Sequence, residues 1–387
     1  MKDNVRILIV PMAAMAETAG PVSRCVLLAE ELKKAGMETA TCMAKDVNFR
    51  DIKDVRNYCL DVPMPLGLPA FIARHAFPMA QKLGITERKT VRSFDEVLNL
   101  TGNLDYRYLK KSVEQISEAI EDFKPDVVYS EFNISAIIAA KHKGVKLAAT
   151  VSYPTQHDYA NDPGLAGGLN RLLSEFKMEK PGSALKLFEL PDMRFCLSIE
   201  ELEPFDDRVI FCGVLKDIQR KEAERNKVLV YMGNGTVSAE KTAGVIKEAF
   251  KDMGYEVYFA TTYLPEKTEG NLHIAKRWDF NTMLDEAVLF INHGGQNSIA
   301  DGLIHGVPQI VIPGKVFERR YNAKMLKENK AGVCMSAGDF TADRLKHIAE
   351  KAAVSGRMRE NAKLLGDKLL NKGGIKLIAE SIKENLC

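Results

Sequence analysis

His293, the pair Gly294-Gly295, Asn297 and Ser298 stand together where an apolar strand pattern gives way to a helical one. A strand, a glycine turn and a helix N-terminus in that order form an anion site. Backbone N–H groups converge there and the helix dipole favours negative charge. Glycine at 294 and 295 lets the backbone approach a phosphate closely, and His293 is placed to donate to a phosphate oxygen. Asp301 follows Asn297 by about one helical turn, where its carboxylate can accept from ribose hydroxyls. A second glycine turn, Gly233-Asn234-Gly235-Thr236, also follows an apolar strand run and suits phosphate or substrate contact. Trp278, the one tryptophan, can stack on a base or fill a core. No paired carboxylates at metal spacing, no H-E-x-x-H and no P-loop occur, so neither a metal nor a cofactor is expected.

These residues need strands that end at one place and helices that start there. Short apolar runs alternate with longer helical patterns, which predicts βαβ units and parallel sheets. Strands are expected at Val5–Val10, Asp126–Tyr129, Leu147–Val151, Val228–Met232, Val257–Thr261, Leu272–Ala275, Val288–Ile291 and Gln309–Ile312. Helices are expected at Val22–Ala35, at Ile134–Lys143 and from the Gly233 turn to about Met253, with an amphipathic one at Gly373–Leu386. The expected division is a first domain over 1–212, a linker over 213–226, a second domain over 227–372 and the terminal helix over 373–387. The run Lys216–Asn226 is charged without an apolar stripe, as a linker or a solvated helix would be. Two α/β halves imply a cleft between them, where such sheets place ligands. Residues 56–110 mix prolines with Met64, Leu66, Leu68, Phe71, Phe77 and Met79, and a long irregular apolar insertion of this kind is commonly functional.

Composition narrows the class. At 387 residues, 46% hydrophobic and 27% charged, the chain is long enough for two cored domains. A net charge of +2 gives no sign of a nucleic-acid partner. Seven cysteines without C-x-x-C spacing fit a reducing compartment. The first apolar run is too short for a signal segment, and no run reaches the roughly 20 residues that span a bilayer. A cytoplasmic protein is expected.

The H-G-G-x-N-S element, the following G-V-P and the later P-x(8)-N-A together resemble the donor-binding signature of UDP-glycosyltransferases with the GT-B fold, of the inverting kind that modifies macrolides and plant natural products. The resemblance covers most of the chain and is strongest over 270–335. It implies two Rossmann-like domains facing across a cleft, with the terminal helix crossing back to the first. It also implies transfer of a sugar from UDP or dTDP to a small lipophilic or aromatic acceptor. His293, Gly294, Gly295, Asn297 and Ser298 would hold the diphosphate, and Asp301 the ribose. The family's Asp-Gln pair that reads sugar hydroxyls falls on Glu318 and Arg319, one residue later after Pro313 than usual. Arg319 could pair with an acidic sugar or point to solvent. Trp278 departs as well, standing in Trp278-Asp279-Phe280-Asn281 rather than W-x-P-Q, which leaves uracil and thymine both open as the base.

Inverting transfer needs a base for the acceptor hydroxyl, and histidine suits that role. Relatives carry G-H-x-x-P after the first strand, whereas this chain has Glu17-Thr18-Ala19-Gly20-Pro21, with Thr18 at the histidine position. Glu17 beside it, Glu131 after the Val127–Tyr129 strand, or His157 are the substitutes, unless the acceptor is acidic enough to need none. His75, His142 and His273 are expected to be structural, and His305 to pack or face solvent. The partners implied are a nucleotide-sugar donor and a small-molecule acceptor, with a homodimer open. Two other readings remain: an epimerase or hydrolase of nucleotide sugars on the same architecture, and a non-catalytic nucleotide-sugar-binding partner of an active transferase.

Overall fold

The computed structural model describes residues 5–14, 19–46, 48–65, 90–205, 208–216, 218–233 and 236–386. The chain divides into two compact units, one comprising 1–79, 91–215 and 372–387, the other 80–90 and 216–371. Each is built on a seven-stranded sheet.

The first sheet holds β1 (Arg6–Pro11), β2 (Glu38–Ala44), β3 (Arg56–Leu60), β4 (Val127–Glu131), β5 (Lys146–Val151), β6 (Met193–Cys196) and β7 (Val209–Phe211). Their order is β3-β2-β1-β4-β5-β6-β7 and all pairs are parallel. Helices α1 (Ala19–Lys34), α2 (Phe94–Leu100), α3 (Tyr106–Phe123), α4 (Ile134–Lys143) and α5 (Gly167–Glu175) belong to this unit. Parallel strands are covered on both faces, so they read as continuous apolar runs; Ile7, Leu8, Ile9 and Val10 are all 0% exposed. Helix α4 shows how local chemistry sets the bounds. Asn133 caps its start by accepting from the Ala136 N–H at 3.0 Å, and Gly144 ends it at φ +67.

The second sheet holds β8 (Lys227–Tyr231), β9 (Glu256–Ala260), β10 (Lys267–Glu269), β11 (Leu272–Ala275), β12 (Ala287–Asn292), β13 (Gln309–Val311) and β14 (Gly332–Cys334). Their order is β10-β11-β9-β8-β12-β13-β14, parallel except for β10 against β11. Helices α6 (Ala239–Phe250), α7 (Phe280–Asp285), α8 (Gln296–Ile304), α9 (Phe317–Glu328), α10 (Ala342–Ala353) and α11 (Gly356–Asn371) complete it. The strand order reverses between β1 and β4 in one sheet and between β8 and β12 in the other. Ligands of open α/β sheets sit outside the strand C-termini at such points.

The terminal helix α12 (Gly374–Asn385) belongs to the first unit. Ile375, Ile378, Ala379 and Ile382 lie in one apolar cluster with Val22, Cys25, Leu28 and Leu32 of α1. The Gly374 N–H donates to the Cys212 carbonyl at 2.9 Å, and a Cβ on Gly374 would stand 2.6 Å from the Val214 carbonyl oxygen, so the join admits no side chain. The described part of 216–226 is neither helix nor strand, although Ile218 is buried. Without an apolar stripe the run has no face on which a helix could pack. In the irregular insertion, Leu66, Leu68, Phe71, Phe77 and Met79 lie outside the described residues, as does His75.

Candidate active site

The Gly294-Gly295 turn follows β12 at the strand-order reversal of the second sheet. A web of amides holds it in shape. Asn292 Oδ1 accepts from the Gly294 N–H at 2.9 Å, and Asn292 Nδ2 donates to Gln309 Oε1 at 2.8 Å. Gln309 Nε2 then donates to the Ile299 carbonyl at 3.0 Å, and Asn322 Nδ2 of α9 donates to the Gly294 carbonyl at 2.9 Å. Asn292 and Gln309 are both 0% exposed, so each buried polar group is matched as its burial requires.

Glycine is needed here for two reasons. Gly294 has φ +85, and a Cβ there would meet the Arg319 carbonyl oxygen at 2.9 Å. Gly295 has an ordinary φ of −65, yet a Cβ on it would stand 2.7 Å from His293 Nε2. Gly233, at the end of the β8 loop, would likewise place a Cβ 3.0 Å from His293 Cε1. The imidazole of His293 is therefore walled by two backbones stripped of side chains. Helix α8 opens at Gly295 with no side-chain cap, so none of its first N–H groups is taken by a capping side chain. Ser298 is buried and Asn297 exposed in that first turn.

His293 is itself buried, with Nδ1 3.4 Å from the Tyr231 carbonyl oxygen and its ring edge-on to Tyr231. Burial first, and the nearby Arg319 charge second, lower its pKa to about 3, against a small opposing pull from the Tyr231 carbonyl. The ring is neutral at neutral pH and brings one N–H. Arg319 brings the charge. Its Nη1 donates to Thr236 Oγ1 at 2.8 Å, joining the first turn of α9 to the loop after β8, and burial depresses its pKa despite Glu318 beside it. The alternative in which Arg319 points to solvent is thereby removed. Glu318 lies in the first turn of α9. Asn234 and Gly235 lie outside the described residues.

Asp301 is half-buried on α8, and burial raises its pKa against the opposing pull of Lys216 and His305. Trp278 packs edge-on to Tyr258 with centroids 5.1 Å apart, against a cluster of Leu229, Leu284, Ala287, Phe290 and Val307. The ring is half-buried, so packing on this cluster leaves part of it exposed.

Residues 261–384 match the family described as erythromycin biosynthesis protein CIII-like, C-terminal domain. Over 308 residues the chain is 24% identical to NDP-glycosyltransferase YjiC of Bacillus licheniformis, covering 71% of this chain and 76% of that protein. The solved structure of CalG4, the calicheamicin glycosyltransferase, superposes with a TM-score of 0.75 at 16% identity, covering 99% and 98% of the two chains. Glycosyltransferase VinC, solved in complex with dTDP, does so with a TM-score of 0.70 at 14% identity over 99% of both. The chain has the GT-B fold of these glycosyltransferases.

The strand-order reversal of the first sheet carries an ion pair that the sequence did not announce. Glu131, 0% exposed at the end of β4, accepts from Arg24 Nε of α1 and from Thr150 Oγ1 of β5. Thr150 Oγ1 in turn shares a 2.9 Å hydrogen bond with the Tyr129 hydroxyl, and the Arg24 guanidinium lies over the Phe132 ring at 5.6 Å. Glu131 Oε1 and Oε2 are each engaged, which is the setting of a structural pair rather than of an open base. His157 has Nε2 2.9 Å from Asp158 and Nδ1 2.6 Å from Glu189, so neither nitrogen is open. Glu17 and Thr18 lie outside the described residues.

The supporting residues missed by sequence reasoning are Arg24, Thr150, Asn292, Gln309 and Asn322. The last three had a signal: amides at the rim of otherwise apolar strands, or following the P-G turn. Arg24 had none, being paired across 107 residues of chain. His142 stacks on Phe176 and His273 on Tyr258, both structural. Among the described residues no group of three metal-ligating side chains gathers, and no helix is long and apolar enough to cross a membrane.

Proposed function

We propose that the second unit grips the diphosphate of a UDP- or dTDP-sugar and that the sugar passes, with inversion, to a small lipophilic or aromatic acceptor held by the first unit. The observation that carries this is the convergence of Gly233, Gly294 and Gly295 on the His293 ring, with Arg319 beside it. Glycines that leave no room for a Cβ, a helix start without a side-chain cap and a half-buried guanidinium suit a diphosphate. As the bond from sugar to phosphate breaks, negative charge grows on the leaving diphosphate. Arg319, the α8 N-terminus and the His293 N–H stabilise it in a fixed, largely dry setting. In this reading Arg319 reads phosphate, and Glu318 retains the carboxylate that accepts from sugar hydroxyls. Asp301 holds the ribose.

The acceptor hydroxyl gives its proton to Glu17. Glu131 is committed to Arg24 and Thr150, and His157 to two carboxylates, which leaves the acid beside Thr18. A thermal-shift screen against UDP, dTDP and GDP and their sugars tests the donor half: a ligand at 100 times its Kd adds about 2.7 kcal/mol. Stabilisation by UDP or dTDP, lost in His293→Ala, is the expected outcome. No stabilisation by either nucleotide refutes the reading. Product analysis without acceptor separates transfer from epimerisation or hydrolysis.

A further inference from the structure

The charged run 216–226 and the far end of α8 enclose a cavity of about 600 Å³ in the second unit. Arg220, Lys221, Arg225, Arg359, Lys363 and His305 line it. This is within the size range of small-molecule sites. Helix α8 starts at the phosphate turn and ends at His305, so the cavity lies about 13 Å along the helix axis from that turn. It is a different place with a different set of residues.

Some of its positive charge is matched. Arg220 pairs with Asp367, and Arg225 donates to the Leu284, Ala287 and His305 carbonyls. Arg359 and Lys363 form no ion pair among the described residues, and Glu222 is the one carboxylate among the lining side chains. Burial and the neighbouring Arg359 together hold the Arg225 pKa below its ordinary value, a measure of like charges crowded together.

Two buried nitrogens point to what is missing. His305 is 1% exposed, and its Nδ1 lies 2.7 Å from Asp285 Oδ1, while Asp285 Oδ2 accepts from the Lys221 N–H at 3.1 Å. Asp285 thus has both oxygens occupied and fixes the ring. His305 Nε2 is buried with no partner, and so is Arg359 Nε. Buried polar atoms are normally satisfied, and an orphan of this kind calls for a group that has yet to arrive. With Nδ1 donating to Asp285, Nε2 is the ring's remaining polar atom.

We infer that this cavity is a second anion site, taking a small phosphate-bearing molecule through His305 Nε2, Arg359 and Lys363. A phosphate group offers the several acceptor oxygens that this cluster of donors lacks, and guanidinium matches it in a planar fork. Occupation relieves the crowding of charge and gives both orphan nitrogens a partner.

The test uses inorganic pyrophosphate with the full chain and reads the ring nitrogens of His305 by ¹⁵N NMR, a signal specific to this cavity. The expected result is a saturable movement of the His305 Nε2 resonance in wild type. The same movement should occur in His293→Ala, and the midpoint should weaken at least tenfold in R359Q/K363Q. Inorganic sulfate and an uncharged phosphate triester separate a phosphate-sized dianion site from non-specific occupancy; the triester should leave the resonance still. A His305 signal unmoved through millimolar pyrophosphate overturns the proposal. So does an unchanged midpoint in R359Q/K363Q with its Tm intact. Loss of the response in His293→Ala would place the pyrophosphate at the donor turn and equally overturn it.

Discussion

Gly295→Ala isolates the contribution of the His293 ring. The backbone at 295 has φ −65 and ψ 143, which alanine adopts freely, so no backbone strain is introduced. The added methyl, however, would stand 2.7 Å from His293 Nε2. Ordinary contact is about 3.5 Å, so the imidazole must retreat by roughly 0.8 Å. It cannot do so freely, because the Gly233 backbone closes the other side, where a Cβ would already be 3.0 Å from the ring. A misplacement near 1 Å at a reacting group costs on the order of 10²-fold, and losing one preformed donor to a developing oxyanion costs about 10²–10³-fold. The expected kcat/KM is therefore ~10²-fold below wild type, about 2.7 kcal/mol of transition-state stabilisation. Overpacking should cost ~1–3 kcal/mol of stability, a fall of several degrees in Tm, leaving a folded protein to assay. Release of UDP or dTDP, followed continuously with a natural-product acceptor, reports the rate. In a His293→Ala background the same substitution should add almost nothing, since the ring it displaces is gone. Activity of Gly295→Ala within threefold of wild type, or a full additional loss on top of His293→Ala, refutes the placement of His293 at the reacting phosphate.

Other substitutions probe the remaining parts. Arg319→Gln restores the amide of the family pattern. If Arg319 reads phosphate, the variant should bind free UDP or dTDP at least tenfold more weakly by calorimetry, whereas a sugar-reading arginine would leave the free nucleotide's Kd alone. His293 is expected to link stability to pH. Its pKa is about 3 in the folded protein and near 6.5 unfolded, so the unfolded chain binds the extra proton. Its contribution is then complete above pH 6.5 and is lost as pH falls from there toward 3. At pH 5 wild type should have lost ~2 kcal/mol that a His293→Gln protein retains, as read by denaturant melts at both pH values. Arg24→Met leaves Glu131 buried and uncompensated. A loss of about 3–5 kcal/mol in chemical unfolding is expected, and Arg24→Met/Glu131→Leu should recover much of it.

The parts legible in the sequence were those whose physics is local. The strands β1, β4, β5, β8, β12 and β13 are largely buried on both faces and each shows as a short apolar run, whereas β9 and β11 are half-buried on one face, at Tyr258 and His273. The phosphate turn is legible for a different reason: strand end, glycine and helix start must be contiguous to make it. Strand β3, at a sheet edge, carries Arg56 and Asn57, and β2 carries Thr39 and Thr41, so neither shows an unbroken run. The Arg24–Glu131 pair and the reach of Arg319 to Thr236 join residues far apart in the chain, and only the fold brings them together. Lys216–Asn226 shows the same limit from the other side. Its charges suggested a solvated connector, whereas Arg220 and Arg225 are engaged and Ile218 is buried.

The placement of α12 has a consequence for biosynthesis. A ribosome extends the chain from its N-terminus, so β1 to β7 emerge first, yet Ile375, Ile378 and Ile382 of their core are translated only after 216–371 of the second unit. The second unit is contiguous over 216–371 apart from one short segment made earlier, and it can close while the first still shows an apolar seam along α1. The unit begun first is thus completed only after the second has been made. During that interval the seam offers a nascent-chain chaperone its binding surface.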